Sequence, residues 1–213
     1  MGKCTQGVFG MWTGKTGNVV GRIRQGQNVY SIYQPNVSNP QTVDQQFNRA
    51  KFRMASKFFS VCLQAVSVGF KTLDGYKRGS AFSAALGKNF AEMFTGTTIS
   101  NLALKFDKIL VANGAVPMAL NPSGQLDGND LQVVWVDNSG MGKALSTDKP
   151  FVVAYNASKQ ICMVAARGER QGMSATLALP SVWNGDTVEG YLFFSRADES
   201  ESSDSFYLGS FNL

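Results

Sequence analysis

The spacing of hydrophobic positions along this chain changes twice, and each change predicts a different kind of structure. Asn18-Val19-Val20-Gly21-Arg22-Ile23-Arg24 and Val29-Tyr30-Ser31-Ile32-Tyr33 are β-type runs flanking Gln25-Gly26-Gln27-Asn28, which predicts a hairpin. Period two places Val20, Arg22 and Arg24 on one face, with Val19 and Ile23 on the other. Ahead of them Gly7, Gly10, Gly14 and Gly17 read as turn signals. An isolated hairpin is marginal in water, so this arm must pack on the rest of the chain or on a neighbouring copy.

Pro35 and Pro40 bracket a linker, after which the period becomes helical. Thr42 with Gln45 three residues later has the capping-box pattern. Phe47, Ala50, Met54, Phe58, Val61, Cys62 and Ala65 then recur at steps of three and four, and Gly69 supplies a stop. A second helix is predicted from about residue 81 to 94, capped by Ser80, with Phe82, Leu86, Phe90 and Met93 on one stripe. The loop holding Gly75, Tyr76 and Gly79 joins the two as a helical hairpin.

Beyond Gly96 short runs rich in β-branched and aromatic residues take over, at 102–111, 131–136, 151–155, 160–165, 174–179, 188–195 and 206–211. Seven such runs in about 110 residues suit an immunoglobulin-like sandwich, with the serine-and-acid cluster 198–204 as the loop of its closing hairpin. The expected fold is therefore α+β: a glycine-rich β-hairpin arm over 1–40, a helical hairpin over 41–97, and a seven-stranded β-sandwich over 98–213.

Three resemblances accompany this pattern. Trp135 in the second strand, and Leu177-Ala178-Leu179-Pro180 followed by Tyr191, resemble the core signposts of a fibronectin type III or related immunoglobulin-like domain, without the paired cysteines of antibody domains. Gly14-Lys15, Gly17-Asn18-Val19-Val20-Gly21 and Asn39-Pro40-x-Thr42-x-x-Gln45-x-x-x-Arg49-x-x-Phe52 resemble, over essentially the whole chain, a family of about this length and of unknown function from Bacteroidetes. The Asn-Pro-x-Thr segment is also similar to segments of phage structural proteins. The family resemblance implies no activity and no site residues.

Composition turns attention from chemistry to association. Charged residues are only 16% of the chain, which leaves a weakly charged surface. Residues 1–100 hold 12 Lys and Arg against three acids, a net +9, whereas residues 101–213 hold 8 against 12, a net −4. A basic half can face nucleic acid, or meet the acidic half of the next copy. Cys4, Cys62 and Cys162 read as reduced thiols, and no signal peptide or apolar span is visible, so a cytoplasmic or virion setting without membrane contact is expected.

Catalytic motifs fail on spacing. Gly14-Lys15-Thr16 invites a phosphate-loop reading, but Phe9 stands where that loop needs glycine, and a glycine-rich turn before a strand accounts better for the segment. The chain has no histidine, which removes histidine-based triads and the commonest metal ligand. Asp127, Asp130 and Asp137 lack calcium-loop order and read as turn formers. No catalytic residue, metal site or cofactor is therefore assigned, and the chain is expected not to be an enzyme.

Arg49, Arg53 and Lys57 recur every four residues away from the apolar stripe of the first helix. With Arg22, Arg24, Tyr30 and Tyr33 of the arm they form the candidate interface, either for assembly or for nucleic acid. The leading expectation is a structural protein that self-associates into an oligomer or filament, or joins other virion proteins, through its arm and helices. The alternatives are a nucleic-acid-binding protein using the basic half, and a ligand-binding or adhesive immunoglobulin-like module working through its loops.

Overall fold

The structure, a computed structural model, describes residues 3–4, 10–24, 26–36, 38–71 and 80–213. The chain divides into two units, 1–42 and 43–213. The loop expected around Gly75, Tyr76 and Gly79, and Gln25 of the expected hairpin turn, lie outside the described residues.

The first unit is an antiparallel meander of β1 (Lys3–Cys4), β2 (Trp12–Thr16), β3 (Val19–Arg24) and β4 (Gln27–Ile32), in that order across the sheet. The predicted hairpin is the β3–β4 pair, with Gly21 opposite Tyr30 and Arg22 opposite Val29. The stretch read as a glycine-rich turn is instead strand β2. Gly14 pairs with Gly21, and a Cβ on Gly21 would lie 2.4 Å from the Trp12 carbonyl oxygen. Here glycine permits close backbone approach rather than chain reversal.

In the second unit α1 (Val43–Val61) starts directly after Thr42. Its stripe deepens along its length: Phe47, Ala50 and Met54 are half-buried, while Ala55, Phe58 and Phe59 are buried. At Cys62 the helix breaks, and α2 (Leu63–Gly69) follows. The next helix, α3 (Ala81–Asn89), is capped at Ser80, whose Oγ accepts the Ser83 N–H at 3.3 Å. It ends earlier than predicted, although Met93 still reaches the core.

The remaining strands are β5 (Phe94–Thr95), β6 (Ala103–Leu104), β7 (Leu120–Asp127), β8 (Asp130–Val136), β9 (Lys149–Asn156), β10 (Ile161–Ala165), β11 (Ser174–Ala178), β12 (Thr187–Ser195) and β13 (Phe206–Asn212). They build antiparallel sheets ordered β10-β9-β12-β13, β11-β8-β7 and β5-β6, none of them closed. The protein is thus α+β, with three α-helices among the described residues.

Segment 102–111 is not the strand its β-type composition predicted. Only Ala103 and Leu104 pair, and 106–108 is a 3-10 turn. The Asn89 side chain stands in for a partner strand, accepting the Leu110 N–H at 2.7 Å and donating to the Leu110 carbonyl at 3.0 Å. Conversely β7, absent from the prediction, contains Pro122 and a register shift between Leu120 and Ser123. An edge strand tolerates both.

The four-stranded sheet is covered on both faces. Phe151, Val153, Tyr155, Tyr191 and Phe193 share one core with Phe58, Phe59, Cys62 and Phe70 of the helical segment. Val152, Ala154, Val188, Leu192 and Phe194 share another with Leu131, Val133 and Trp135 of β8 and with Leu177 of β11. This explains the near-continuous burial of β9 and β12. It also separates the two aromatic signposts: Trp135 lies between the sheets, whereas Tyr191 faces the helices and donates from its hydroxyl to the Phe106 carbonyl at 3.0 Å.

Candidate functional site

Register sorts the arm's side chains into two unlike faces. Lys15, Val20, Arg22, Arg24, Val29 and Tyr33 lie on one, and the Lys15 ammonium sits 3.4 Å from the centre of the Tyr33 ring. That contact is a cation–π pairing. Trp12, Val19, Ile23, Tyr30 and Ile32 lie on the other, where the Trp12 and Tyr30 rings are 5.0 Å apart. Of the arm residues expected to act together, Tyr33 therefore accompanies Arg22 and Arg24, whereas Tyr30 belongs to the apolar face. Ile32 is 79% exposed and Ile23 49%.

The helical row divides as well. Four residues advance about 40° beyond a full helical turn, so Arg49 and Lys57 drift roughly 80° apart. Arg49 and Arg53 line a shallow groove of about 680 Å³ with Asn48, Phe52, Ser56 and Phe90. Lys57 lines another, of about 280 Å³, beside Met54, Phe58 and Tyr155. In the first groove Phe52 is exposed alongside the two arginines, and Ser56 Oγ is shielded without a hydrogen-bond partner among the described residues. Lys51 takes a different course, its ammonium 4.6 Å from the centre of the Phe47 ring.

Sequence reasoning missed Trp12 and Ile32 as surface features, although period two applied to residues 12–16 and 29–33 marks both as facial residues; Phe52 already divides from Phe47 between the faces of α1 in the sequence. For the groove partner Phe90 no local signal exists, since α3 meets α1 only through tertiary packing.

The strongest charge cluster is a structural one that no motif announced. Arg170 is fully buried, and its guanidinium donates to Asp148 at 3.2 Å, to Asn138 Oδ1 at 2.6 Å and to the Pro117 carbonyl at 2.9 Å. Its charged carbon lies 3.9 Å from the centre of the Phe194 ring. The second oxygen of Asp148 accepts from Arg196 at 2.8 Å. Burial lowers the Arg170 pKa and Asp148 opposes that shift. The Arg170 donors are all directed inward, so the cluster ties loops together rather than presenting a charge to a ligand.

The end of the 198–204 loop is similarly inward-turned, while Asp198 and Ser200 are exposed. Ser202 Oγ donates to the Gly69 carbonyl at 2.7 Å, Ser203 Oγ accepts the Phe194 N–H at 2.9 Å, and Asp204 accepts from the Asn113 side chain and the Gly114 N–H. Just beyond it, Ser205 Oγ accepts the Val111 N–H at 3.0 Å.

Among the described residues no helix is long and apolar enough to cross a membrane. Comparison with curated proteins gives no match. Residues 10–209 match the model of a family of unknown function (DUF6266), and with nearly the whole chain covered the protein belongs to that family.

Proposed function

We propose that this protein is a non-enzymatic structural component that self-associates through its N-terminal arm and helices, with a phage or prophage particle as its setting. The observation that carries this reading is the arm's apolar face, where Trp12, Val19, Ile23, Tyr30 and Ile32 stand on a small sheet and Ile32 is 79% exposed. A sheet with an apolar face and open edges gains most by meeting another protein surface. The opposite charges of the two halves favour a head-to-tail contact.

Seven strands in two sheets also support an immunoglobulin-like sandwich for the C-terminal part. The first, second and fifth of them share one sheet, and the third, sixth and seventh share the other, as in constant-type immunoglobulin domains. The fourth, β10, lies on the edge of the third.

A second reading, nucleic-acid binding, draws on Arg22, Arg24 and Lys15 on one arm face and on Arg49 and Arg53 beside the exposed ring of Phe52. Light scattering of the full chain, of a variant lacking residues 1–38, and of the triple variant Arg49→Ala, Arg53→Ala, Lys57→Ala separates the two. Self-association that grows with concentration and disappears with the arm is expected. A full-length chain that stays monomeric at high concentration sinks the assembly reading. Retention on nonspecific DNA that weakens with salt and is lost in the triple variant would favour the second.

A further inference from the structure

Cys62 and Cys162 are remote in sequence and belong to different layers of the second unit. Cys62 occupies the break between α1 and α2 and is fully buried. Cys162 lies on the edge strand β10, half-buried, packed against the core that contains Cys62. The contact is held from both sides. Cys162 pairs across the sheet with Tyr155, whose ring is 4.8 Å from that of Phe58, and the Phe58 carbonyl accepts the Cys62 N–H at 3.0 Å. The two thiols lie close enough to influence each other, and neither is in a disulfide.

We propose that Cys62 and Cys162 form a reversible disulfide that ties the helical layer to the outer strand of the four-stranded sheet, with a small-molecule disulfide as the oxidant. The bond is formed by two exchanges. Cys162, the more accessible of the pair, attacks one sulfur of the oxidant as a thiolate and releases the other as a small thiolate. Cys62 then gives up its proton and attacks the Cys162 sulfur, forming the protein disulfide and releasing the second small thiol. Two protein thiols are oxidised by two electrons, and one small disulfide is reduced to two thiols. The order follows from the surroundings, since the nearby Cys162 thiol and then burial push the Cys62 pKa well above that of a free thiol.

Two features distinguish this pair from cysteines that merely fill a core. A lone buried thiol behaves as a small hydrophobe. Here a second thiol packs against the same core, half-buried on a strand at the edge of its sheet, the side from which a small oxidant can approach. The odd third cysteine, Cys4, belongs to the other unit, so the test removes it.

The test uses the full chain carrying Cys4→Ser, incubated folded with glutathione disulfide at graded ratios to glutathione. Thiols are then blocked, the protein is denatured, and peptides are mapped without reduction. Loss of both thiols with a linked peptide pair carrying residues 62 and 162, reversed by dithiothreitol, is the expected result. The further change Cys162→Ser is expected to leave Cys62 as a free thiol under the same oxidation, which shows that the link is not a product of unfolding. A folded protein that keeps Cys62 reduced while glutathione stays on Cys162, or that gives only links between chains, overturns the proposal.

Discussion

Asp148 shows how much one buried carboxylate can decide. Its two oxygens serve Arg170 and Arg196, and the Arg170 side chain is fully enclosed. Asp148→Ala leaves that guanidinium buried and uncompensated, so a loss of about 3–5 kcal/mol is expected in urea denaturation, with Asp148→Asn losing less. Little of this was legible in the sequence. Gly168-Glu169-Arg170-Gln171-Gly172 reads as an exposed polar loop, because burial of Arg170 depends on Pro117, Asn138 and Phe194, which are remote along the chain. Trp135 was the opposite case: a tryptophan among Val133, Val134 and Val136 belongs in a core wherever the strand lies. Tyr155 carries a pH signature of its own surroundings. Burial, then the neighbouring cysteines, push its hydroxyl up to about 12. The neutral form is thereby favoured in the folded protein, so this contribution to stability is fully present below about pH 10 and is lost as pH rises from there through about 12.

Among the elements, those with a strong period or a clear cap were legible. Helix α1 begins where Thr42 suggested, and α3 carries its Ser80 cap. The hairpin of β3 and β4 follows from alternation around a glycine-containing connection. Misreadings occurred where a side chain or a sheet edge replaced regular pairing, as with Asn89 at Leu110 and with Pro122 in β7. Gly69 marks a further contact that no period reveals. It ends α2 against the 111–112 segment, where an added Cβ would lie 2.5 Å from the Ala112 Cβ and 2.6 Å from the Val111 carbonyl oxygen. Gly69→Ala is expected to cost about 1–3 kcal/mol of stability by overpacking, measurable as a lowered denaturation midpoint with an unchanged slope. A midpoint equal to that of the parent protein would show that the 111–112 segment yields freely.

Taken as a whole, the second unit is organised around the four-stranded sheet, because its inner strands face two cores at once. Amides of Val152, Val153, Leu192 and Phe193 are therefore expected to exchange most slowly with deuterium, and those of edge strand β7 and of the arm much faster. Uniform exchange across β7, β9 and β12 would contradict that hierarchy. The family match agrees with the resemblance of the whole chain to an uncharacterised family, and it leaves assembly and nucleic-acid binding to be separated by measurement. By itself the sequence determined what is local: the period of each run, the caps, the opposite charge of its halves and the β-rich character of its last half. Only the tertiary structure decided which face of each element is covered, that Tyr30 and Arg22 lie on opposite sides of the arm, and that Cys62 and Cys162 share one core. The physical reason is that periodicity reports which side chains share a face, whereas contacts between distant segments depend on which elements that face is packed against.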